Sequence, residues 1–216
     1  MLRKVTGKLK SLLRNTGNKY FSNFRRRKLI RKDFTIISNN CWAGNVYRYF
    51  GLPYNTPTVG LYMYPQDYLK FINNLKLYIE TPISFIDITE SKYKIELIKK
   101  GQNTIPIGKI LDIEIMFLHY DNEEEALEKW NRRVQRINYD NIILKFSQMN
   151  GSTTQDLMSF DQTKGNFKKI LFVKDEALAQ KYESAIYFKG YENKKEITND
   201  TTHFRRGLDL IRFLNR

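Results

Sequence analysis

The chain reads as an α/β domain carrying a basic amphipathic N-terminal extension, on three observations. Beyond Asp33, short apolar runs alternate with runs at helical spacing, the pattern of strands enclosed by helices. A length of 216 residues suits one domain plus an appendage. The net charge of +14 is local: 12 of the 37 Lys and Arg lie between Met1 and Lys32 with no Asp or Glu, leaving 25 basic against 23 acidic residues in the rest. The expected division is an extension over residues 1–32 and one domain over residues 33–216.

In the extension, Leu2, Val5, Leu9, Leu12 and Leu13 recur at helical spacing while Arg3, Lys4, Lys8, Lys10 and Arg14 fall largely elsewhere around the helix. Asn15 to Asn18 breaks that helix. A second basic stretch, Lys19 to Lys32, carries Tyr20, Phe21 and Phe24. In the domain, Phe34 to Ile37 is an expected buried strand, Trp42 to Phe50 a short helix, Val59 to Met63 a second strand and Pro65 the first residue of the next helix. Pro82 to Ile88 and Tyr93 to Ile98 also read as strands. Ile110 to His119, the longest apolar run, reads as a central strand. Asp121 and Asn122 cap a helix with three Glu in its first turn and Arg132, Arg133 and Arg136 near its end, and Ala126, Leu127, Trp130, Val134 and Ile137 form its apolar face. A strand at Ile142 to Phe146, a helix at Thr153 to Phe160, a strand at Lys169 to Val173 and a helix at Phe204 to Leu214 complete the pattern. Asp175 to Asp200 matches no template.

Several chemistries are absent from the pattern. There is no GxxxxGK[ST], GxGxxG, HExxH or GxSxG, and no Asp-x-Asp pair of the kind that holds a metal beside a nucleotide sugar. One Cys and two His argue against a zinc cage and exclude an intramolecular disulfide, so neither metal nor cofactor is expected. No apolar run spans a bilayer and no signal peptide can be drawn, which leads to an expected cytoplasmic location.

The run Ser38-Asn39-Asn40-Cys41-Trp42-Ala43-Gly44 falls where a buried strand gives way to a helix, the place where α/β sheets gather ligands. A cysteine there sits near helix N-terminal amides, which lower a thiol pKa, and the Asn amides offer donors to an oxyanion, a hydroxyl or a phosphate. Equally, Asn39 and Asn40 can be turn caps and Cys41 a small buried hydrophobe. His119, ending its strand, would emerge on the same edge of a parallel sheet and pair with Cys41 as base and nucleophile, or simply cap the strand. Arg132, Arg133 and Arg136 suit a phosphate or carboxylate, or a solvated helix face paired with Glu125 and Glu128.

The run Phe34 to Leu61, then Tyr64 to Tyr68, Ile107-Gly108, Ile113 to Tyr120 and Glu124 to Asn141, resembles the family of bacterial domains usually labelled exopolysaccharide biosynthesis protein. The resemblance covers roughly Asp33 to Val173 and leaves the basic extension outside. It implies a three-layer α/β/α sandwich and an association with capsule or exopolysaccharide gene clusters, but no reaction. Its motif positions fall on Asn39, Asn40, Cys41, Gly44, His119, Tyr120, Trp130, Arg132, Arg133, Asn138 and Asn141. Ala43 stands where a glycine is common.

The resulting expectation is a metal-independent transferase acting on a sugar or glycan intermediate, lipid- or nucleotide-linked, at the inner membrane face. Cys41 and His119 are its expected catalytic pair; Asn39, Asn40, Trp42, Gly44, Tyr120, Arg132, Arg133, Arg136 and Asn141 line its pocket. The extension would meet an anionic membrane surface. The alternatives are a non-catalytic glycan- or partner-binding module and, from composition alone, a nucleic-acid-binding protein, though the nearly neutral domain argues against specific nucleic acid.

Overall fold

A computed structural model describes residues 20–201 and 207–216. The leucine helix expected over residues 2–14 lies outside the described residues, as do residues 204–206 of the expected C-terminal helix. The elements run in order α1 (described over residues 20–27), β1 (Thr35–Ser38), α2 (Trp42–Phe50), α3 (Pro65–Asn73), α4 (Leu75–Glu80), β2 (Ser84–Ile86), α5 (Lys94–Lys99), β3 (Ile107–Ile110) and β4 (Ile113–Met116). There follow α6 (Glu123–Val134), β5 (Ile142–Ser147), α7 (Thr154–Asp161), β6 (Lys168–Val173), α8 (Glu176–Lys181), β7 (Ala185–Tyr187) and α9 (Leu210–Asn215).

Strands β1, β5, β6 and β7 form one parallel sheet in that order. Successive side chains of a strand point to opposite faces, and both faces here are apolar. Ile37, Leu144, Phe146, Leu171 and Val173 join a core with α3, α6 and α7. Ile36, Ile143, Ile170 and Phe172 join a second core with α2 and α9. Helices therefore cover both faces in three layers, as expected.

The second sheet departs from expectation except at β2, which falls within the strand expected over Pro82 to Ile88. Ile110 to His119 is no central strand: Leu111 takes a left-handed backbone (φ +53°), and the run folds into an antiparallel β3–β4 hairpin with β2 on its outer side. A largely apolar run conceals such a turn, because only Asp112 and Glu114 interrupt it before His119. Tyr93 to Ile98 is largely helix α5, whose Leu97 alone is buried; alternation and helical spacing are hard to separate over six residues. Val59 to Met63 forms no strand beyond one bridge, Tyr62 to Met116. The free edge of β1 is closed instead by the residues just before Val59 and by Tyr47 of α2. Thr56 Oγ1 donates to the Ile36 carbonyl (2.5 Å), the Ser38 amide donates to Thr58 Oγ1 (3.2 Å), and the Ile36 amide donates to the Tyr47 hydroxyl (3.2 Å). Side-chain hydroxyls thus satisfy the backbone groups that a further strand would pair. The unread stretch after Asp175 supplies α8, β7 and a long loop over residues 188–201.

Helix α1 is joined to this body. Arg25 Nη1 donates to the Tyr49 carbonyl (3.1 Å) and Arg26 Nη1 to the Gly51 carbonyl (2.9 Å), both at the far end of α2. Asn215 ties Lys28 and Ile30 to α9. Tyr20, Phe21, Phe24 and Ile30 remain exposed. No helix among the described residues is long and apolar enough to cross a membrane.

Candidate functional site

A cavity of about 780 Å³ opens at the carboxyl ends of β1 and β5, the end at which parallel sheets place ligands. Its walls come from the turn after β1, the segment Val59–Tyr62, the turn after β4, helix α6 and the loop before Thr201.

The turn after β1 is built by short polar side chains. Ser38 Oγ donates to the Asn40 carbonyl (2.6 Å) and accepts from the Ala43 amide (3.3 Å), while Asn40 Oδ1 accepts from the Trp42 amide (3.1 Å). These bonds satisfy the first amides of α2. Asn39 is fully buried and faces β5: its Nδ2 donates to the Ser147 carbonyl (3.3 Å) and its Oδ1 accepts from the Ser147 amide (3.2 Å). Its amide extends the β1–β5 ladder by one step and does not line the cavity. Asn40 does line it, and its Nδ2 donates to Asp200 Oδ1 (2.8 Å). Asn39 is therefore neither a turn cap nor a cleft residue, while Asn40 both caps α2 and faces the cleft.

Cys41 faces the cleft with its Sγ 3.6 Å from the Leu61 carbonyl. The expected low thiol pKa is overturned. Burial, reinforced by the negative charge of Asp200, pushes it up to about 12, because a thiolate loses more in leaving water than the helix amides return. His119 enters the same cavity by another route than the one expected, since it follows the antiparallel β4 rather than a strand of the parallel sheet. Its amide donates to the Gly60 carbonyl (2.9 Å). Burial, with the Arg48 charge second, holds the imidazole below the usual histidine range, so it is neutral at pH 7. Gly60 makes the convergence possible. At φ +74° it occupies the left-handed region, and a Cβ there would lie 3.1 Å from the Tyr120 ring and 3.4 Å from His119 Cβ.

The arginines of α6 divide by helical geometry. Arg133 lies on the buried face with Ala126 and Trp130 and reaches the cavity. Its Nη1 donates to the Tyr120 hydroxyl and to the Val59 carbonyl (3.3 Å), Tyr120 donates to the same carbonyl, and the guanidinium carbon sits 5.4 Å from the Tyr54 ring centre. Arg132 points away, paired with Glu128 at 2.8 Å, and Arg136 is exposed outside the cavity. A step of 100° per residue separates neighbours that sequence reading had grouped. Asn141 is also displaced from the site: it sits before β5 and its carbonyl accepts from the Thr35 amide (2.9 Å), at the opposite end of the sheet. Trp42 is fully buried against Phe172 in the core rather than in the cleft. Gly44 lines the cleft, and a Cβ on it would meet Val59 Cγ1 at 3.0 Å.

Other groups escaped the sequence reading. Arg48, Lys100 and Lys129 join Arg133 and His119 in the lining, against Glu196 and Asp200. Asp200 is already neutralised from below by Lys145, a fully buried lysine within β5 whose amine also donates to Asn40 Oδ1 (3.0 Å), while Ser147 Oγ donates to the same Asp200 carboxylate. The available signal was the one charged residue inside the apolar strand Ile142 to Ser147. Among the described residues no group of three or more His, Cys, Asp and Glu is arranged to hold a metal ion. Tyr54, Tyr62 and Tyr120 complete a lining that is aromatic and cationic at once.

The same segments are shared with other proteins. The chain is 34% identical over 191 residues, 88% of its own length and 84% of the relative's, to a protein of Haemophilus influenzae (strain ATCC 51907 / DSM 11121 / KW20 / Rd) described as "Uncharacterized protein". A family match runs over residues 12–215, so it takes in most of the basic segment that the motif resemblance had left outside, together with every wall of the cleft. On that span the chain belongs to the family described as "Domain of unknown function (DUF1919)".

Proposed function

We propose that the cleft binds a phosphate-bearing sugar or glycan intermediate of surface-polysaccharide synthesis, and that the protein is a metal-independent transferase acting on it. The observation that carries this reading is the cationic, tyrosine-rich lining at the carboxyl ends of β1 and β5, where Arg48 and Arg133 flank one opening. Among the described residues Arg48 has no hydrogen-bonded carboxylate, and Arg133 donates to a hydroxyl and a carbonyl, so both retain charge for an anion. Tyrosine rings offer faces to sugar C–H groups and hydroxyls to sugar oxygens. His119, neutral and at the wall, is the group suited to take the proton of an attacking acceptor hydroxyl as phosphate leaves. Cys41 stays a neutral thiol in this scheme and lines the pocket without serving as nucleophile.

The exposed Tyr20, Phe21, Phe24 and Ile30, set among Arg25, Arg26, Arg27, Lys28 and Arg31, support a peripheral position on an anionic membrane, where lipid-linked sugars reside. A second reading, a non-catalytic glycan-binding module, draws on the raised Cys41 thiol and its contact with Leu61, which leave the turn without an activated nucleophile. Calorimetric titration of the full chain with glycosyl phosphates and nucleotide sugars tests the binding reading. The expected result is saturable binding abolished in Arg133→Ala; no binding of any phosphate-bearing sugar overturns it. Turnover of a bound ligand separates transferase from module.

A further inference from the structure

Beside the cleft lies a second hollow of about 470 Å³, lined by Tyr64, Gln66, Tyr93, Glu96, Thr153 and Asp156 among others. The two hollows share Lys100, Asn150 and Glu196, so they are successive chambers of one groove. Each alone falls within the roughly 300 to 1,000 Å³ of a small-ligand site.

The waist between them is a built feature. Lys100 Nζ donates to Asn150 Oδ1 (2.9 Å), and the Gly151 amide donates to Glu196 Oε2 (2.9 Å). Asn150 and Gly151 both occupy the left-handed region, at φ +56° and +76°, an arrangement that turns the chain sharply after β5 and leaves the space beside Gly151 open. Three segments distant in sequence thus meet at one constriction.

The chambers differ in chemistry. The first carries Arg48, Lys100 and Arg133, with Lys129 already paired to Glu125, against Glu196 and the neutralised Asp200. The second carries Lys100 and Lys195 against Glu96, Asp156 and Glu196. It is therefore unsuited to an anion and rich in acceptors for hydroxyl groups. Its wall is a pair of stacked rings, Tyr64 on Tyr93, with centroids 3.9 Å apart and planes at 17°. The Glu96 and Lys195 side chains are exposed and make no ion pair among the described residues, which leaves a carboxylate and an amine free to meet vicinal hydroxyls.

We infer that the groove holds a glycan of at least two sugar units, with its phosphate-bearing end among Arg48 and Arg133 and its neutral chain lying past Asn150 against Tyr93 and Glu96. The inference rests on the glycosyl-phosphate reading above and adds the length and direction of the ligand. It makes Tyr93 and Glu96 determinants of chain length rather than of phosphate recognition.

The test titrates the full chain with inorganic phosphate, with N-acetylhexosamine phosphates of one, two and three sugar units, and with the unphosphorylated disaccharides. Extension from one sugar to two is expected to tighten binding at least about tenfold. In Glu96→Ala, on the exposed side of α5, and in Tyr93→Ala, that gain disappears while affinity for the one-sugar phosphate is kept. Equal affinity for one, two and three units, or an equal loss for all lengths in Glu96→Ala, overturns the extended groove. Unphosphorylated disaccharides that bind with dependence on Glu96, where phosphates add nothing, retain the second chamber and overturn the phosphate reading. Absence of binding by every probe overturns both.

Discussion

Lys145 and Asp200 form an ion pair with both side chains at 0% exposure, the lysine rising from β5 and the aspartate descending from the loop over residues 188–201. Asn40 and Ser147 complete the bonding of the same carboxylate, so one buried charge pair joins the strand, the turn after β1 and the loop that walls the cleft. Trp42 and Phe172 flank the amine, with ring centres 5.8 and 5.5 Å away. Desolvation on this apolar side lowers the lysine pKa despite its partner.

Removing one partner strands the other's charge. Lys145→Met or Asp200→Leu alone is expected to lose about 3–5 kcal/mol in urea unfolding, and the double substitution less than the sum of the two. A single-variant loss under about 1 kcal/mol, the size of a surface pair, would show that water reaches the site.

Cys41 should resist iodoacetamide at pH 7.5 in the folded protein and react at an ordinary thiol rate in denaturant, because burial and Asp200 push its pKa up to about 12. Rapid labelling of the native chain would contradict this and restore the thiolate.

The lowered pKa of His119 has a definite sign in stability. Below about 6.5 the unfolded chain takes up a proton that the folded imidazole still refuses, so stability falls as pH drops through that value. His119→Gln should flatten the fall between pH 7 and the folded pKa while changing little at pH 8. An unchanged profile in this variant would place the imidazole in open solvent.

Arg132 and Arg133 offer a paired control. Arg132→Ala removes an exposed i,i+4 pair with Glu128 and should change stability by about 0.3–0.5 kcal/mol. Arg133→Ala leaves the Tyr120 hydroxyl and Val59 carbonyl short of a buried donor and should lose about 1–3 kcal/mol in thermal or urea unfolding. Equal effects would refute the division of α6 into two faces.

For the membrane reading, the full chain should co-sediment with anionic vesicles and release as salt rises, while neutral vesicles leave it in the supernatant. Phe21→Ser with Phe24→Ser, both exposed, should weaken that binding without altering the fold. Undiminished binding of the double variant would assign attachment to other residues.

Much of the layered fold was legible in the chain because its signals are local. Apolar runs such as Phe34 to Ile37 and Ile142 to Phe146 mark strands buried on two faces, and Asn122 before three Glu marks the start of α6. The turn at Asn40-Cys41 was legible as part of the cleft wall for the same reason, a strand passing directly into a helix. What only tertiary structure decided depends on direction and distance. It bent Ile110 to His119 into a hairpin yet still delivered His119 to the cleft, turned Arg133 inward and Arg132 outward, and sent Asn141 to the opposite end of the sheet. It also joined Lys145 to Asp200 across 55 positions of sequence, and that burial reversed the expected thiol shift at Cys41. Periodicity records which face a residue occupies; the charge state of a group follows from which other segments close over it, and that is settled only by packing.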